Sequence, residues 1–108
     1  MADEGIAAVY AVFGSDEEAR RIGRAMIEQR LAACLNIIGP CHSIYRWQGA
    51  IQEAEEGASI FKTTSARIEP LIAAIRAAHS YETPAIVVLL IDRADPAYRR
   101  WIAAETSA

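Results

Sequence analysis

The chain has 108 residues, 53% of them apolar and 23% charged, with a formal net charge of −3. That length fits one domain with one core, residues 1–108, and the apolar content is too high for a disordered chain. The acidic balance argues against nucleic-acid binding, which needs a surplus of Lys and Arg on one face.

Ile6 to Phe13 is a nearly continuous apolar run, the pattern of a strand buried on both faces. It is far shorter than the roughly 20 residues that span a bilayer, and no positively charged segment precedes it. The expectation is therefore a cytoplasmic protein without a membrane partner. Gly14 ends the strand, and Ser15-Asp16-Glu17-Glu18 reads as a capping box in which Glu18 reaches back to the Ser15 amide. A helix is predicted from Asp16 to Leu31, burying Ala19, Ile22, Gly23, Met26, Ile27 and Leu31. Its Arg20, Arg21, Arg24 and Arg30 are interleaved with acidic residues, as on a solvated helix face.

Cys34 to Ile38 and Ser43 to Trp47 are predicted as two parts of one long strand bent at Gly39-Pro40. Gln48-Gly49-Ala50 supplies a turn, and Ile51 to Thr63 returns as a second long strand, giving an extended hairpin with Trp47 and Gly49 at its tip. Ser65 can cap a second helix carrying Ile68, Leu71, Ile72, Ile75 and Ala78, with Pro70 near its first turn making the start irregular or later than Ser65. His79 ends that helix, where an imidazole can bond the last carbonyls. Ala85 to Ile91 reads as a further continuous apolar strand in the centre of the sheet, and Asp95-Pro96 opens a short terminal helix with Tyr98, Trp101 and Ile102. The order β-α-β-β-α-β followed by α predicts an α+β ferredoxin-like sandwich with a long β2-β3 hairpin. So much apolar sequence in a small domain also leads to an expectation of self-association.

Core packing gives no reason for Asn36, Tyr45, Trp47, Lys62, His79 and Tyr81 to stand where they do. Cys34 and Cys41 are expected to be free thiols. Soft or borderline metal donors are limited to Cys34, Cys41, His42 and His79, without a spacing that preorganises a site. Tyr45 and Trp47 share one face of the hairpin and can grip a neighbouring subunit. Lys62 needs solvent, a carboxylate or an anion for its ammonium.

Six short motifs occur in order: Leu31-Ala32-Ala33-Cys34-Leu35-Asn36; Tyr45-x-Trp47-x-Gly49-x-Ile51; Glu56; Lys62-Thr63; His79-x-Tyr81-x-x-Pro84; and Tyr98-x-x-Trp101-Ile102. Together they resemble the CutA family of divalent-cation-tolerance proteins, from Val9 to about Ile102. Ser80 replaces a common proline, Ala85 a common glutamate, and Gly57 a bulky strand residue. The resemblance implies a homotrimer whose hairpins wrap neighbouring subunits, with a PII-like ligand or ion site in each inter-subunit cleft. It implies a non-enzymatic role linked to metal tolerance, with no required cofactor and weak binding of copper or another divalent cation. The residues it offers are Cys34 and His79 for metal, and Tyr45, Trp47, Glu56, Lys62, Tyr81 and Glu82 for a ligand, with Glu56 or an anion as partner of Lys62. A PII-like module binding a small molecule or anion is one alternative. An acylphosphatase-type hydrolase is the other; the acidic Gly14 to Glu18 turn, which repels phosphate, opposes it.

Overall fold

The computed structural model of the chain describes residues 5–107. Its elements are β1 (Ile6–Phe13), α1 (Asp16–Glu28), β2 (Cys34–Trp47), β3 (Ala50–Thr64), α2 (Ile68–Ala78), β4 (Ile86–Ile91) and α3 (Pro96–Glu105). The strands form one antiparallel sheet in the order β2-β3-β1-β4. This is the ferredoxin-like arrangement that the element order requires.

Strand alternation sorts the side chains into two faces. Val9, Ala11 and Phe13 of β1 and Phe61 of β3 point to α1 and α2, where they pack with Ile22, Met26, Leu71 and Ile75 in the main core. The next residues along β1, Ala8, Tyr10 and Val12, point to the opposite face. There α3 covers one end, with Ile102 packed against Ile6 and Ala33. Asp95 caps α3 by accepting from the Tyr98 amide at 3.1 Å, and Pro96 stands in the first turn, as the Asp-Pro pair predicts.

Helix α1 stops three residues before the expected Leu31. Arg30 takes a positive φ of 59°, and the amides of Arg30 and Leu31 turn back to the carbonyls of Ile27 and Met26. That pair of bonds is a Schellman ending, closed here without glycine. Ser65 does not cap α2: residues Ser65–Arg67 form a 3-10 turn leading into it. Pro70, third in α2, lies in the first turn, where a missing amide costs the helix no internal bond.

The hairpin is continuous. Gln48 and Gly49 both have positive φ, as a two-residue type I′ turn demands. A bulge between Ile37 and Gly39 shifts the register, so the expected bend is made inside one strand. Strand β1 pairs with β3 only as far as Gly57, so Ala50–Glu56 are paired with β2 alone and project roughly 20 Å past the sheet. Gly57 has a packing reason: a Cβ there would lie 2.6 Å from the Ser15 carbonyl oxygen, so only glycine lets β3 pass the start of α1.

One expectation fails in position. Strand β4 is an edge strand, not a central one, because the split βαβ topology places it outside β1. Its apolar residues are consequently bare: Val87 is 49%, Leu89 53% and Leu90 79% exposed. Among the described residues no helix is long and apolar enough to cross a membrane.

Candidate functional site

Where the hairpin leaves the sheet, a cavity of about 530 Å³ opens on the face away from α1 and α2. Alternation brings Tyr10 and Val12 of β1 to it, along with Ser43, Tyr45 and Trp47 of β2 and Glu56 of β3. The loop after α2 closes it with Tyr81, Glu82 and Thr83, followed by Ala85. Five of the six residues expected to bind a ligand, Tyr45, Trp47, Glu56, Tyr81 and Glu82, therefore share one space.

The Tyr81 phenol donates to Glu56 Oε2 at 2.8 Å. Burial, this hydrogen bond and the Glu56 charge push the phenol up to about 12, so it remains a donor at neutral pH. Glu56 is 9% exposed despite its position on a projecting strand. Tyr81 is set in turn by His79, whose ring lies 4.9 Å away and stacks on Phe13 at 5.0 Å.

The His79 ring is committed. Its Nε2–H donates to the Val12 carbonyl at 2.7 Å, while Nδ1 accepts from the Tyr81 amide at 2.9 Å. Val12 can only accept and Tyr81 N–H can only donate, which fixes the tautomer. The ring thus joins β1 to the Tyr81 loop rather than bonding the last carbonyls of α2.

Behind it lies a buried carboxylate that the sequence reading placed differently. Glu18 accepts from the Gly14 amide, and from the Ser80 amide and hydroxyl, each at 2.9 Å. The Ser15 hydroxyl does accept from the Glu18 amide at 3.1 Å. The reciprocal bond to Ser15 is absent, because the carboxylate turns toward the Ser80 loop. Burial raises the Glu18 carboxyl, but the three hydrogen bonds and nearby His79 together hold it below its ordinary value. Ser80 supplies a backbone N–H that proline could not.

The remaining expected residues lie elsewhere. Lys62 donates to Asn36 Oδ1 and does not meet Glu56, which is six positions along the same strand and so roughly 20 Å away. Cys34 pairs with Lys62 in the ladder, and its Sγ is 3.4 Å from the Tyr98 hydroxyl, a bond that with burial pushes Tyr98 up to about 12. Cys34 and His79 are therefore at different levels of the sheet and do not converge within one chain. Among the described residues no group of three or more His, Cys, Asp and Glu could hold a metal ion.

Tyr10, Val12, Ser43, Thr83 and Ala85 also line the space and are not among the site residues expected from the sequence. Tyr10 had a signal, a hydroxyl within a buried apolar strand; Ser43 and Thr83 had none that spacing reveals.

A four-stranded antiparallel sheet, two helices on one face and a cavity at the base of a projecting hairpin define a ferredoxin-like domain of the PII-like kind. The chain belongs to the CutA1 divalent ion tolerance protein family, whose family model matches residues 7–105. It is 40% identical over 94 residues to the divalent-cation tolerance protein CutA of Thermotoga maritima, covering 87% of this chain and 92% of that one. It is 34% identical over 97 residues to protein CutA of Mus musculus, covering 90% of this chain but only 55% of the mouse protein. The crystal structure of CutA1 from Ehrlichia chaffeensis superposes with a TM-score of 0.93 at 31% identity, covering 99% of this chain and 100% of that one.

Proposed function

We propose that the chain serves divalent-cation tolerance as a non-enzymatic homotrimer, with a small ligand held in the Glu56 cavity where neighbouring subunits meet. One observation carries the reading: Tyr45 and Trp47 line the cavity and also belong to the exposed apolar surface of the projecting hairpin. Contact with a neighbour and occupancy of the cavity would then involve the same side chains. The names of the relatives support the metal connection, and two free thiols support a reducing, cytoplasmic setting.

A non-catalytic role is supported by what surrounds the chemically capable groups. Cys34 meets a phenol rather than an imidazole, and the Gly14 amide that could receive phosphate already donates to Glu18. Copper or another divalent cation is proposed to bind weakly, with Cys34 as its soft donor. His79 would have to release Val12 or Tyr81 to take part.

Native mass spectrometry of protein purified without chelator tests the reading. The expected spectrum shows a trimer with divalent ions at partial occupancy. A monomer that acquires neither ions nor small molecules overturns it.

A further inference from the structure

The cavity has an uneven chemistry that narrows its ligand. Glu56 and Glu82 supply carboxylates, and among the described residues of the chain no Lys, Arg or His lines the space. Tyr10, Tyr45, Trp47 and Tyr81 add four aromatic rings. An anion would face carboxylates and the negative faces of those rings. A divalent ion would want several converging oxygen ligands, which two carboxylates and Ala85 do not provide. A neutral apolar molecule would strip water from Glu56, leaving its charge uncompensated. Glu56 already has one oxygen held by Tyr81, and that phenol gives no positive charge.

A cation wrapped in alkyl groups meets each of these conditions. Its charge answers Glu56, and its weakly hydrated surface can lie against aromatic rings, whose faces attract cations. A space of about 530 Å³ is ample for such a molecule. We propose that the cavity binds a small organic ammonium ion, its charge toward Glu56 and its alkyl groups against Tyr45, Trp47 and Tyr81. This names the ligand class of the site described under Proposed function and rests on that reading for its place in the assembly.

Calorimetric titration of the full chain with choline, with its neutral isostere 3,3-dimethylbutan-1-ol and with citrate tests the inference. Choline should bind saturably, the isostere about tenfold or more weakly, and citrate not at all, because loss of the charge removes both Glu56 and ring attraction. Glu56→Gln should lower choline affinity by about tenfold while leaving the isostere unchanged. Tyr81→Phe keeps the ring and releases the second Glu56 oxygen, so choline should bind at least as tightly as before. Isostere or citrate binding as tight as choline overturns the inference, and so does a folded protein with no choline binding. The isostere contrast on unaltered protein decides the matter even if Glu56→Gln fails to fold. Sedimentation of the same samples separates the two claims. A trimer that ignores choline removes the ammonium ligand alone. A monomer that binds it removes the trimer and keeps the ligand.

Discussion

The two faces of the sheet obey opposite rules. On the helix side, Val9, Ala11, Phe13 and Phe61 are fully buried, with neighbours supplied by the same chain. On the other side Val87 and Leu89 are about half exposed, and the hairpin beyond carries Tyr45 at 41% and Trp47 at 45%. Both faces have the composition of an interior, but one chain completes only the first. The cavity lies on the incomplete face, which is why its walls mix apolar rings with carboxylates that remain open to a ligand.

The comparison breaks most visibly by substitution. Phe61→Ala on the completed face should destabilise the fold by about 3–5 kcal/mol, read from the urea midpoint. Leu89→Asp on the bare face should leave far-ultraviolet circular dichroism intact and dissociate the assembly. If Leu89→Asp unfolds the chain as Phe61→Ala does, the bare face is already a finished core and needs no second copy.

Gly57→Val probes the junction between the two regions. The added side chain meets the Ser15 backbone, so it should cost about 1–3 kcal/mol by urea unfolding despite its strong strand propensity.

Acid sensitivity should separate the Glu18 network from the cavity. The Glu18 carboxyl is lowered in the folded chain from a reference value of 4.5, so its contribution is present above that pH and is lost as pH falls through the folded value. Ser80→Ala removes one bond to this carboxylate and should cost about 1 kcal/mol at pH 7, shrinking toward zero in acid. A pH-independent cost would show that Ser80 acts through packing.

The smallest effect is alkaline. Tyr81 is raised from 10 to about 12, so its contribution is complete below pH 10 and is lost as pH rises toward 12. Tyr81→Phe should flatten that limb of the stability profile while leaving the acid limb alone. The ring is partly exposed, so the change in melting temperature should be small but of this sign.

Much of this was legible in the residues because the signals are local. Alternation, the Gln48-Gly49 turn and the Asp95-Pro96 cap each depend on neighbouring positions, and each stands as read. The fold's order of elements followed from them. The capping box was half legible: the Ser15 bond is local, but the destination of the Glu18 carboxylate depends on Ser80, 62 positions away. Similar limits apply to His79, whose partner Val12 is on another strand, and to Lys62, whose distance from Glu56 follows from the strand's rise. Strand β4 looked central because an apolar edge strand carries the same pattern as a central one when a second chain is expected to cover it.

The central claim is that copies of this chain complete the bare face. Sedimentation equilibrium at micromolar concentration tests it most directly, with Trp47→Ala and Trp101→Ala run beside the parent. The account predicts a parent mass three times that of the 11.8 kDa chain, and an assembly weakened more by Trp47→Ala than by Trp101→Ala. A parent that sediments as a monomer or a dimer would contradict it.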